Sequence, residues 1–202
     1  MDTVAPHAAL RPLDVAAVTD LVRRAAPRLG TVRLVLVDGP AGSGKTTAAA
    51  RLADAFGGAP VVHMDDLYEG WSGLGGDVWD RLRRQVLEPL AAGLPGRYQR
   101  YDWDARRFAE WHDVPVPEIL VVEGVGSAAR PVDPWATLRI WVEVWPERAL
   151  ARGIARDGEP MRDEWLRWST REREHFLADG TAGRADVLVD GSAPPMTSRR
   201  GG

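Results

Sequence analysis

The apolar positions of this chain fall into two spacings. Val32, Leu34, Val35, Leu36 and Val37 form a short, nearly continuous run that ends at Asp38. Such a run is too short for a helix and has no polar alternation, so it predicts a strand buried on both faces of a parallel sheet. Similar runs at 60–64, 118–123, 138–144 and 186–189 predict four more strands. Elsewhere the apolar residues recur every three or four positions. Val15, Val18, Leu21 and Val22 after Asp14 predict a first helix. The alanine-rich stretch 46–55 predicts a second, and 77–92, 147–156 and 163–177 predict three more. Strands alternating with helices imply one α/β domain over 11–190, with a parallel sheet of about five strands covered by helices on both faces. Segments 1–10 and 191–202 offer little to pack and are expected to be flexible tails.

Composition narrows the function. With 45% hydrophobic residues in 202, the chain has enough apolar mass for one substantial core. A net charge of −3, with arginines interspersed among acids, argues against a nucleic-acid partner. There is no cysteine, hence no disulfide, thiolate metal site or cysteine nucleophile. No apolar run approaches a membrane span and no signal pattern opens the chain, so no membrane partner and a cytoplasmic location are expected. A homo-oligomer is compatible with the sequence.

The basic residues are unevenly chosen. All but one of the 26 are arginine, and the exception is Lys45, within Gly39-Pro40-Ala41-Gly42-Ser43-Gly44-Lys45-Thr46. This is the spacing G-x-x-x-x-G-K-[ST] of a phosphate-binding loop, and it lies between a predicted strand and a predicted helix. Backbone N–H groups of such a turn converge on phosphate oxygens, helped by the positive end of the following helix. A compact ammonium can follow a phosphoryl group as it moves, whereas a planar guanidinium is too wide for the turn. Gly39, Ala41, Gly42, Ser43, Gly44, Lys45, Thr46 and Thr47 are therefore the expected ATP-binding residues, with the Thr46 hydroxyl available to Mg²⁺. The fold expected is a P-loop NTPase sandwich, with ligands at the carboxyl ends of its strands. A guanine-reading N-K-x-D segment would need a second lysine, and no LSGGQ-like signature is present. A small-molecule kinase is the class that remains.

Five further segments resemble the uridine kinase family and its relatives, the phosphoribulokinases and bacterial pantothenate kinases. Asp65-Asp66-Leu67-Tyr68 is similar to that family's D-x-F-Y motif, Tyr101-Asp102-Trp103 to its Y-D-F segment and Glu123-Gly124 to its E-G motif. Arg152-Gly153-Ile154-Ala155-Arg156-Asp157, followed by Arg162, resembles its arginine-bearing lid, and the segment 184–189 its final strand. The matches run in family order from about 32 to 190. The resemblance implies an ATP- and Mg²⁺-dependent transfer of the γ-phosphate to a hydroxyl of a small molecule, a nucleoside first of all. It implies Asp65 as the base, since only Asp65 has the spacing to Tyr68. The neighbouring Asp66, on an extended segment, should point the other way. Lys45, Arg152, Arg156 and Arg162 would stabilise the transferring phosphoryl group. Thr46, Asp65 and Glu123 would serve Mg²⁺, and Asp65, Tyr68, Tyr101, Arg106 and Glu164 the acceptor.

The pattern is altered where the family grips its nucleoside. Leu74 stands where an aspartate takes the ribose hydroxyls, Arg106 where a histidine is found, and Glu164 near an expected glutamine. An acceptor of another kind, such as an antibiotic or an acidic, pantothenate-like metabolite, is the alternative, and Arg106 would suit a carboxylate or phosphate on it. Trp71, Trp79, Trp103 and Trp111 fall in segments that cover the acceptor in that family, where they can stack on a ring or fill the core. His63, His112 and His175 lack metal-ligand spacing and read as structural or surface residues. A nucleotide-binding regulator without catalysis is the alternative of a different class; Lys45, Asp65 and Glu123 together argue against it.

Overall fold

The computed structural model describes residues 10–192. In chain order its elements are α1 (Val15–Arg24), β1 (Arg33–Asp38), α2 (Lys45–Ala55), β2 (Val61–His63), α3 (Val78–Leu82), α4 (Glu88–Ala91), β3 (Gly96–Asp102), β4 (Arg107–Val114), β5 (Ile119–Glu123), β6 (Ala136–Glu143), α5 (Pro146–Asp157), α6 (Arg162–Asp179) and β7 (Val187–Asp190). Five of the strands form one parallel sheet in the order β2-β5-β1-β6-β7.

The continuous apolar runs follow from that central sheet having two cores. Leu34 and Leu36 of β1, with Leu120 and Val122 of β5, face a core that includes Leu82, Leu90, Trp165 and Trp168. Val35 and Val37, with Val121, face the opposite core beneath Val18 and Val22 of α1 and Ala49 and Leu52 of α2. Each such fully buried Val or Leu contributes about 1.5–3 kcal/mol of transfer free energy. Asp14 caps α1 as the sequence suggested, its carboxylate accepting the Ala17 N–H at 3.0 Å.

Two elements differ from expectation. The helix predicted over 77–92 is broken between α3 and α4 by a π-helical turn, Arg83–Leu87. Pro89 lacks the N–H that a regular helix would pair with the Gln85 carbonyl. The antiparallel hairpin β3–β4 was not predicted at all. Only Val114 of β4 is buried, so the strand has no apolar face to read.

Gly191 and Ser192, expected to open the tail, are instead held in place. Gly191 donates its N–H to the Glu143 carbonyl at 2.8 Å, and Ser192 to the Asp190 carboxylate at 2.8 Å. The rest of the expected tails, 1–9 and 193–202, lies outside the described residues. Among the described residues no helix is long and apolar enough to cross a membrane. The carboxyl ends of all five parallel strands converge on one cavity of about 1430 Å³. It opens where β5 and β6 leave β1 on opposite sides, the switch point at which open α/β sheets bind ligands.

Candidate functional site

The glycine loop turns from β1 into α2, and α2 begins at Lys45 with Gly44 left-handed before it. Gly42 is left-handed at φ 82°, and a Cβ there would lie 2.5 Å from the Ala149 carbonyl oxygen of α5. Glycine is thus required twice over, by backbone conformation and by the approach of α5. Ala41 through Thr47 all line the cavity. Gly39 does not: its N–H donates to the Asp38 carboxylate at 2.7 Å, and it supports the loop from below. The Lys45 ammonium folds back onto the Pro40 carbonyl at 2.8 Å. Ser43 has a buried hydroxyl with no hydrogen-bond partner among the described residues, the condition of a donor left for a ligand oxygen.

Asp38, which the motif does not specify, fastens this loop to the neighbouring strand. Its fully buried carboxylate accepts N–H groups from Gly39, from Gly126 at 2.9 Å and from Ala128 at 2.8 Å. Burial pushes its pKa up to about 6, against the opposing pull of those N–H groups and of Lys45.

Asp65 lies just beyond β2. Met64–Asp66 is a 3₁₀ turn, not the extended segment expected, so alternation cannot explain where its side chains point. Their partners do. Both line the cavity, but the Asp66 carboxylate accepts the Tyr98 hydroxyl at 3.1 Å and serves the hairpin, whereas among the described residues no hydrogen bond holds the Asp65 carboxylate. The Asp65 side chain is open to cavity water, but protein surrounds it on most sides. That burial, and then the negative Glu123, raise its pKa, while Lys45, Arg156 and His63 pull it down. Tyr98, buried beside Asp66, is held well above the ordinary phenol range.

Glu123 ends β5, and its carboxylate accepts the Thr46 hydroxyl at 3.1 Å. Thr46, Asp65 and Glu123 thus face one end of the cavity, as expected of oxygen donors to a divalent cation. Among the described residues no cluster of three His, Cys, Asp or Glu side chains could cage a metal unaided. The set suits an ion that arrives with phosphate oxygens. His63 is more than a surface residue, because its Nδ1 lies 2.6 Å from Glu123. That hydrogen bond raises the imidazole pKa against its own burial.

The arginines divide. Arg152 donates to the Gly42 carbonyl at 3.0 Å and to the Gly191 carbonyl at 3.1 Å, tying α5 to the loop and to the end of β7. Arg156 lines the cavity, paired with Asp157 at 2.7 Å and lying over the Trp165 ring. Arg162 does not line it, being exposed and paired with Glu159 on the first turn of α6. Arg167 and Arg171, absent from the sequence reading, line it instead. They share a helical stripe with Glu164 and Trp168, a phase the pattern over 163–177 could have shown. Gly153, between the lid arginines, allows this packing, since a Cβ there would meet the Trp165 ring at 2.8 Å.

Of the residues expected at an acceptor, Tyr101, Arg106 and Glu164 line the cavity, Glu164 paired with Arg167. Arg106 sits at the hairpin tip with φ 53°, left-handed without being glycine. Tyr68 has no exposed surface; it donates its hydroxyl to the Val125 carbonyl and forms a wall behind the cavity. Of the four tryptophans expected there, Trp71 and Trp103 line the cavity. Trp79 instead stacks on His175 and donates to the Gly126 carbonyl, and Trp111 packs under Arg97 on the hairpin. Trp165 and Trp168 take their places, both edge-on to Trp71 at 5.6 and 6.0 Å.

A strand, a glycine turn and a helix that opens on its lysine, set in a parallel sheet with helices on both faces, define the P-loop α/β class. No protein-family model matches the chain, and no curated protein is significantly similar to it. Among solved structures, a possible uridine kinase from Bacillus stearothermophilus superposes with a TM-score of 0.63 at 18% identity, over 87% of this chain and 97% of that one. A candidate fructose transport system kinase from Silicibacter sp. TM1040 superposes with a TM-score of 0.57 at 22% identity, over 87% and 98% of the two chains. The chain therefore shares the fold of these two structures, and a shared fold does not by itself carry an activity.

Proposed function

We propose that this protein is an ATP-dependent kinase that transfers the γ-phosphate to a hydroxyl of a small molecule held between the hairpin and α6. The carrying observation is the placement of Asp65 and Lys45 in one cavity, at the ends of different strands, with the phosphate loop on one side and the aromatic wall on the other. Phosphoryl transfer asks the protein for in-line positioning and charge neutralisation. Lys45 and the loop N–H groups serve the phosphates, and Arg156 lies beside Asp65 to meet charge that develops during transfer. Asp65 accepts the acceptor's proton, and its raised pKa makes it a better base than an ordinary carboxylate. Mg²⁺, when bound with the nucleotide, would neutralise phosphate charge, with Thr46, Asp65 and Glu123 placed to hold it or its waters.

Motif order and the fold shared with a possible uridine kinase favour a nucleoside acceptor. An acceptor of different chemistry has its own support: Leu74 is buried in the core, and neither it nor Asp77 lines the cavity. Leu74 thus supplies no carboxylate at the position whose aspartate takes the ribose hydroxyls in the family it resembles. Calorimetry with Mg²⁺ and ATP, then ADP release over a panel of nucleosides and acidic alcohols, tests the proposal. Lys45→Ala should abolish turnover with the fold intact. Absence of ATP binding by the wild-type protein would end the kinase reading, and efficient turnover of uridine would end the alternative acceptor.

A further inference from the structure

Glu172 is a buried carboxylate that the proposed transfer does not use. It sits on α6, 6% exposed. One of its oxygens accepts two hydrogen bonds, from the Ala41 backbone N–H at 3.0 Å and from the Trp168 indole N–H at 3.0 Å. Ala41 belongs to the phosphate loop. Trp168 belongs to the acceptor wall, edge-on to Tyr68 at 5.3 Å and to Trp71. Among the described residues no guanidinium pairs with Glu172, and the nearby Lys45 ammonium is turned to Pro40. A neutral acceptor could satisfy the Ala41 N–H without the desolvation penalty of a charge. An ionisable group in this position therefore asks for a chemical reason.

Resting on the kinase reading, we propose that Glu172 is a positioning residue of the phosphate loop, one that joins Ala41 to the helix walling the acceptor end and takes up a proton from solvent when the nucleotide's phosphates bind. Lys45, Asp38 and Tyr68 are the titratable groups that face it. Burial pushes the Glu172 carboxyl up to about 7; the Ala41 N–H, Lys45 and the Trp168 N–H hold it down, and Asp38 adds to the rise. Phosphates bring negative charge to the loop and draw Lys45 toward themselves. Both changes disfavour the carboxylate and favour the acid, which still offers a carbonyl oxygen to Ala41. A group whose pKa rises on binding makes binding stronger at low pH and weaker as pH climbs through its range.

The experiment is calorimetry with Mg²⁺ and the β,γ-imido analogue of ATP, across pH and in two buffers of different ionisation enthalpy. Wild-type protein should take up a fraction of a proton near neutrality. Its affinity should fall about three- to tenfold between about pH 6 and about pH 8, below the ceiling of about tenfold per pH unit for one linked proton. Glu172→Gln keeps an acceptor oxygen for Ala41 and loses the proton, so its profile should be flat apart from the ligand's own titration. Glu172→Ala loses both, and its kcat/KM for ATP should fall about tenfold further than that of the glutamine variant, the range of one lost buried hydrogen bond. Trp168→Phe leaves Glu172 in place but removes a donor that favours the ionised form, so the profile should survive with its midpoint at higher pH. A wild-type slope persisting in Glu172→Gln, or a flat wild-type profile, overturns the inference while leaving the kinase reading intact. Absence of wild-type binding at every pH would instead overturn the kinase reading.

Discussion

Asp65 and Asp66 are neighbours in sequence with separate employment, and the hydrogen bonds say which is which. Asp66 is held by Tyr98. Among the described residues Asp65 is hydrogen-bonded through its backbone carbonyl, which accepts the Trp103 indole N–H at 3.1 Å, and its carboxylate faces the cavity. Asp65→Asn should slow the chemical step by about 10²–10⁴-fold, the span of a positioned general base, with nucleotide affinity nearly unchanged in calorimetry. Asp66→Asn should act mainly through the hairpin and cost far less in a single-turnover rate. If it proved the more damaging, Asp65 could not be the base. Arg106 poses a second question at this scale. It holds a left-handed backbone at φ 53°, at about 1–2 kcal/mol for a side-chain-bearing residue, and among the described residues it has neither hydrogen bond nor ion pair. Strain kept without internal compensation is typical of a functional position. Arg106→Gly should leave stability unchanged or slightly raised in a thermal melt, while KM for the acceptor rises. A fall in stability with unaltered KM would remove Arg106 from the acceptor site.

At the scale of elements, the phosphate loop depends on how β1 is joined to β5. Asp38 takes one N–H from the loop and two from the segment after β5, so three buried donors rest on two oxygens. Asp38→Asn would set an amide donor against one of them, and a denaturant melt near neutral pH should show a loss of about 1–3 kcal/mol, the cost of an unsatisfied buried group. The pH dependence has a definite sign. The folded pKa of about 6 lies above the ordinary 3.8, so the folded protein binds this proton more tightly than the unfolded chain. That contribution is full below the ordinary value and is lost as pH rises through about 6. The asparagine variant should lack this component of the stability profile.

The whole molecule brings three segments distant in sequence to one aromatic contact. Trp71 follows the turn after β2, Trp103 lies at the tip of the β3–β4 hairpin, and Trp165 and Trp168 lie on α6; each of the last three packs edge-on against Trp71. The Arg171 guanidinium also donates to the Trp71 carbonyl at 3.0 Å. Trp71→Ala should therefore raise KM for the acceptor more than KM for ATP. It should also speed amide exchange in both the hairpin and α6, where a local packing defect would affect only one of them.

The strand, glycine loop and helix were legible because each signal is local: a doubly buried strand is apolar throughout, and a phosphate turn needs its glycines at fixed offsets. Lys45, Thr46, Asp65 and Glu123 were legible for the same reason, as residues at the ends of readable strands. The hairpin was not, because it buries little of its own surface and its order depends on Tyr98 and Trp103 reaching the turn after β2. Nor could composition choose among so many arginines. The phase of α6 turns Arg162 toward Glu159 and brings Arg167 and Arg171 to the cavity. Asp38, His63 and Glu172 acquired their roles only when the fold surrounded them, since a carboxylate's neighbours and its distance from water are properties of the packed chain. Sequence by itself determined the strand, glycine turn and helix of the P-loop, because that unit is built from contiguous residues. Tertiary structure decided the rest of the cavity wall and the buried charges behind it, because these are assembled from helix faces and loop tips that are neighbours only in space.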